Sequence, residues 1–122
     1  MTILKDSPGA GHFILSEANG YRSRQRIVVG LSQTLLAGQV LGKVTASGDY
    51  VKLAPSATDG SQTAAGIAFD DYVTTTEKVD GVSFERDGEV TLAKLVWPAG
   101  ATDNQKAAAV AQLAAKGVLA RV

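Results

Sequence analysis

Val82-Ser83-Phe84-Glu85-Arg86-Asp87-Gly88-Glu89-Val90-Thr91-Leu92-Ala93 is the stretch on which the fold class turns. Apolar and polar residues alternate on both sides of Asp87-Gly88, which is the period of a strand with one buried face. Asp-Gly suits a two-residue turn because both residues tolerate the left-handed backbone such turns require. The segment therefore predicts a two-residue antiparallel hairpin.

Outward from it, the chain reads as short strands divided by turn residues. Upstream lie Ile27–Val29, Val40–Thr45, Tyr50–Leu53, Gly66–Phe69 and Tyr72–Thr76, with Gly48-Asp49, Asp59-Gly60 and Asp80-Gly81 as punctuation. Downstream, Glu89–Trp97 extends the second arm of the hairpin, and Val118–Val122 alternates as a closing strand. Regular short strands with turn signals indicate an all-β or β-rich domain. Only one segment reads as a helix, over about 103–116. Thr102 and Gln105 have capping-box spacing, Asp103 suits the positive end of the helix dipole, and Gly117 is placed to stop it. At 100° per residue Ala107, Val110, Leu113 and Ala114 share one face.

The N-terminal part differs. Ser7-Pro8-Gly9-Ala10-Gly11 breaks helix and strand, so residues 1–11 read as a flexible terminus. Phe13-Ile14-Leu15-Ser16-Glu17-Ala18 follows as a short apolar segment, closed by Asn19-Gly20. Residues 1–30 net +2 and the remainder −2, so a basic leader precedes a mildly acidic body. The organisation expected is a flexible arm over 1–26 and a single β-rich domain over 27–122. The fold class is α+β, β-rich: a mostly antiparallel small β-barrel, β-tulip-like, with one C-terminal helix.

Composition narrows the function. At 122 residues and 45% hydrophobic, one domain can bury about two thirds of its extended surface. Twelve basic residues balance twelve acidic ones, so no global field favours nucleic acid or an anionic membrane. With no cysteine, disulfides, thiolate metal sites and a cysteine nucleophile are excluded. No apolar stretch approaches a membrane span, and the N-terminus lacks a secretory signal pattern.

Catalytic chemistry finds little footing. His12 is the only histidine, it sits beside glycines, and no Gly-x-Ser-x-Gly elbow accompanies it. Asp70-Asp71 would point to opposite faces of a strand, and the other aspartates suit turns or the helix start. Gly9-Ala10-Gly11 lacks the third glycine of a dinucleotide loop. No catalytic residue, metal site or cofactor is expected. Two features stay open. Arg22, Arg24 and Arg26 would share one side of an extended chain, either as a strip meeting a partner or as the charged guard of an edge strand. Trp97-Pro98 is either a core anchor ending a strand or an interface contact.

Three stretches together resemble the bacteriophage head decoration proteins of the lambda type. They are Val96-Trp97-Pro98-Ala99-Gly100-Ala101-Thr102-Asp103, the run from Thr58-Asp59-Gly60 through Ala64-Ala65-Gly66-Ile67-Ala68, and Phe13-Ile14-Leu15-Ser16-Glu17-Ala18-Asn19-Gly20-Tyr21-Arg22-Ser23-Arg24. The resemblance covers most of residues 13–122. It implies a non-enzymatic virion protein, made in the host bacterial cytoplasm and placed on the outer surface of the capsid. It further implies a homotrimer at three-fold sites of the expanded shell that holds it against packaged DNA, with the major capsid protein as partner and no nucleic acid or membrane partner. The N-terminal arm then adds a strand to a capsid-protein sheet, a mode that uses main-chain hydrogen bonds for affinity and alternating side chains for fit. On this reading Phe13, Ile14, Leu15, Ser16 and Glu17 meet the capsid, Arg22, Arg24 and Arg26 set registry, and Trp97 and Pro98 anchor the trimer or the core. The alternatives are a small β-barrel ligand-binding module and another virion part from the tail or neck.

Overall fold

Asp87 adopts the left-handed conformation that its turn requires, with φ at 52°, yet the turn joins strands of two different sheets. The computed structural model describes residues 9–122. Its strands are β1 (Ile14–Glu17), β2 (Arg24–Val29), β3 (Thr34–Leu35), β4 (Val40–Lys43), β5 (Tyr50–Lys52), β6 (Ala64–Ala68), β7 (Tyr72–Val73), β8 (Val79–Phe84), β9 (Gly88–Thr91) and β10 (Val118–Arg121), and its helix is α1 (Asp103–Ala115). Strands β2, β5, β4, β6 and β8 close into an uneven barrel, β1, β9 and β10 form a second sheet, and β3 pairs with β7.

The expected hairpin between the segments flanking Asp87-Gly88 does not form. Strand β8 is paired with β2 on one edge and β6 on the other, while β9 lies between antiparallel β1 and parallel β10. A strand has only two edges, so neither can pair with the other. The ring of Phe84 lies where a Cβ on Gly88 would be, so glycine at the crossing is set by packing as well as by the turn.

Alternation along the barrel strands divides the apolar residues between two clusters. Val40, Ile67 and Phe84 face outward and pack with Phe13, Val90, Leu113 and Val118 beneath the second sheet and α1. Ile27, Val29, Leu41, Tyr50 and Ala68 fill the other side of the same strands. Phe13 and Phe84 meet edge to face, with ring centroids 6.0 Å apart.

The helix begins as its sequence dictates. Thr102 Oγ1 accepts from the Gln105 amide at 3.1 Å, and Gln105 Oε1 accepts from the Thr102 amide at 2.9 Å. Its buried face differs from the expected one, since Ala109 and Leu113 are buried whereas Ala107 and Ala114 are exposed. Six alanines spread around the helix leave little asymmetry in the pattern. The rotation is pinned instead by Leu113 and by Gln112, whose Oε1 accepts from the Ala64 amide at 2.8 Å.

The expected arm spans two kinds of residue. Residues 1–8 lie outside those described. Gly11 donates to the Phe69 carbonyl at 2.8 Å, and from Phe13 onward the chain is built into the body through β1, a short turn at Asn19–Tyr21 and β2. The Phe13–Ala18 segment carries its own apolar anchor, which the core absorbs.

Candidate functional site

Arg24 and Arg26 fall on one face of β2, but Arg22 lies outside the strand and the three do not form a strip. Tyr21 has a positive φ of 59° and Arg22 is in a helical conformation, so strict alternation begins only at Arg24. The Arg24 side chain turns back to Glu17, with Nε donating to Oε2 at 3.0 Å and Nη2 to Oε1 at 2.7 Å. Its guanidinium carbon lies 4.4 Å from the Tyr21 ring centroid and 4.2 Å from that of Phe69. Hydrogen bonding to Glu17 pushes its pKa further up, against the opposing effect of burial. Arg22 is exposed and approaches Asp87 only at 3.9 Å, and Arg26 is exposed on β2.

The residues expected to meet a partner separate in the same way. Phe13 is fully buried and Ile14 packs against its cluster, which is elsewhere than a contact surface. Leu15 is 56% exposed, Ser16 is exposed, and Glu17 is held by Arg24. Leu15, Ser16, Arg22 and Arg26 thus remain open to a partner. Trp97 is half-buried and packs against the core cluster, and Pro98 follows it half-buried. His12 is half-buried beside Phe13, its Nδ1 3.2 Å from the Gly9 carbonyl oxygen.

A second feature lies where the barrel closes poorly. Strands β2 and β5 meet through a single parallel pair, Val29 with Tyr50. Below that pair the barrel wall opens into a cleft of about 520 Å³, lined among others by Gln25, Arg26, Lys43, Tyr50 and Glu85. Glu85 and Ser83 are 5% and 0% exposed, with Oε2 and Oγ lacking hydrogen-bond partners. Gly66 makes room for them, because a Cβ there would overlap Ser83 Oγ and lie 2.9 Å from Glu85 Cγ. Burial, reinforced by the adjacent Glu85 carboxylate, pushes the Tyr50 phenol far up.

Alternation around the turn assigns Ser83 and Glu85 to a solvated face, and no local pattern marks them otherwise. The burial arises because β2 and β6 enclose that face, a tertiary fact. No group of three or more His, Cys, Asp or Glu residues able to hold a metal is found among the described residues.

The sequence matches, over residues 3–118, the family model described as bacteriophage lambda head decoration protein D. No curated protein matches the chain.

Proposed function

The chain belongs to the bacteriophage lambda head decoration protein D family, and from that premise we propose that it fastens the phage head as a trimer, seated on three-fold positions at the outer face of the expanded capsid. The family match across residues 3–118 carries this reading. A protein that binds one state of a shell stabilises that state through its differential affinity, so each occupied site opposes rupture under packaged DNA. Three attachment points per trimer let modest contacts add up to firm binding.

Attachment is assigned to the N-terminal region. The N-terminal region over 1–26 supplies the attachment by adding a strand to a capsid sheet, and Phe13 and Ile14 root it in the body. Leu15, Ser16, Arg22 and Arg26, which are exposed around that root, complete the contact. The body that carries it includes β1 and β2 as well as residues 27–122. The role is structural, with no reaction and no cofactor.

Cosedimentation with undecorated expanded capsids, beside unexpanded procapsids of the same phage, tests the reading. Saturable binding to expanded shells alone, at about one trimer per three-fold site, is the expected result. Binding to neither shell overturns it. Deleting residues 1–12 is expected to abolish binding while the body stays folded.

A further inference from the structure

We infer that the open seam between β2 and the β4–β5 turn is a strand-accepting groove, which takes an extended capsid-protein segment whose inward-pointing lysine or arginine pairs with Glu85. This rests on the decoration reading above and names a second contact, which adjoins the N-terminal one at Arg26.

The backbone supplies the first argument. Strand β2 is paired with β8 along its whole length but with β5 only at Val29. The Glu85 amide donates to the Ser23 carbonyl at 2.9 Å, so Ser23, Gln25, Ile27 and Val29 turn their backbone groups toward β8. Arg24, Arg26 and Val28 therefore turn theirs to the seam. Side chains occupy part of this edge: Gln25 Nε2 donates to the Arg26 carbonyl at 3.2 Å and Arg86 Nη1 to the Arg24 carbonyl at 3.3 Å. Arg86 also donates to the Arg22 carbonyl and to Gln25 Oε1, both at 2.8 Å, so an incoming strand takes the edge by displacing these exposed side chains. An edge left open in this way is a template for strand addition.

The second argument is the incompletely satisfied Glu85. Its side chain is 6% exposed, its Oε2 has no hydrogen-bond partner, Arg86 approaches only the other oxygen, at 3.9 Å, and the Tyr50 phenol is a further polar neighbour. A buried carboxyl oxygen without a partner is costly, and a cation arriving from the cleft offsets that cost. Because side chains alternate along a strand, a segment lying on Arg24–Val28 sends one side chain inward to Glu85. Its neighbours point outward to the rim, where Arg26 and Lys43 are exposed and Arg26 favours acidic flanking residues. The cleft of about 520 Å³ has room for a basic side chain.

Hydrogen–deuterium exchange on the whole protein, alone and on expanded capsids, reads the groove directly. The Arg26 and Val28 amides should slow at least about tenfold on the shell. Binding with both amides unchanged overturns the inference and leaves the decoration reading intact, whereas failure to bind expanded shells removes both. Protection that grows with concentration in the protein alone, and gains nothing on the shell, means that a second copy fills the groove and also overturns it. Two variants give an independent readout. Val28→Pro removes a seam-facing amide that β8 does not use and should weaken shell binding about tenfold. Glu85→Gln keeps the shape, loses the charge, and should weaken shell binding to a similar extent while the free protein melts no lower than wild type. A purely structural Glu85 would lower the melting temperature and leave shell affinity unchanged. Should Val28→Pro not fold, Glu85→Gln and the exchange measurement decide.

Discussion

Arg24 holds Glu17 through two parallel hydrogen bonds, at 3.0 and 2.7 Å, and so ties the start of β2 to the end of β1. The pair is only about a quarter exposed, and the guanidinium also stacks between Tyr21 and Phe69. Such a bidentate, stacked arginine is not replaceable by lysine. Arg24→Lys is expected to destabilise the protein by about 1 kcal/mol, and Arg24→Ala by about 2 kcal/mol. Urea unfolding checks both, and an Arg24→Lys protein as stable as wild type would show that charge alone matters.

Gly66→Ala should cost about 1–3 kcal/mol, because the new methyl overlaps Ser83 Oγ and crowds Glu85. Ser83→Ala removes a buried hydroxyl that has no partner, so by itself it should be neutral or stabilising. In the double variant the losses should not add, since the serine oxygen is the first atom the methyl meets. Thermal unfolding of the four proteins closes the cycle, and strict additivity would refute the packing account.

The strand pattern was legible because turn residues and alternation are local. Asp87-Gly88 does mark a turn, and Thr102 with Gln105 does cap α1. Pairing was not legible, because whether β8 takes β9 or β2 depends on which edges other strands have filled. For the same reason the only mark of Glu85 as a buried group is tertiary: a polar residue in an alternating strand reads as solvated until a barrel closes over it. Phe13 shows the converse. Its apolar run looks equally suited to a partner sheet or to its own core, and only the packing of Phe84, Val90 and Leu113 decides. Arg24 was named from a spacing that Tyr21 and Arg22 break by their backbone, so its link to Glu17 lay outside any periodic reading.

The orientation of α1 yields a paired test. Gln112→Ala leaves the Ala64 amide without its acceptor and should cost about 1–2 kcal/mol. Ala107→Gln lies on the face that periodicity assigns to the core but that is exposed, so it should change stability by less than about 0.5 kcal/mol. Denaturant midpoints distinguish the cases, and a large loss at Ala107 with none at Gln112 would place the buried face where periodicity puts it.

Tyr50 governs the alkaline limit. Its phenol is buried inside the barrel, and burial followed by the adjacent Glu85 raises its folded pKa well above the unfolded value of 10.0. Tyr72 is raised in the same direction by burial. A raised folded pKa means that the contribution is fully present below pH 10.0 and is lost as the pH climbs from there toward the folded value, because only the unfolded chain releases its proton in that interval. Unfolding free energy should therefore be insensitive to these groups at neutral pH and fall steeply above about pH 10. Tyr50→Phe removes the larger share of that slope, so the variant should lose less stability than wild type between neutral and alkaline conditions. Urea unfolding across the alkaline range, with tyrosinate absorbance followed in parallel, gives the answer. An unchanged slope in Tyr50→Phe, or tyrosinate absorbance from Tyr50 rising with an ordinary midpoint in the folded protein, would overturn the argument.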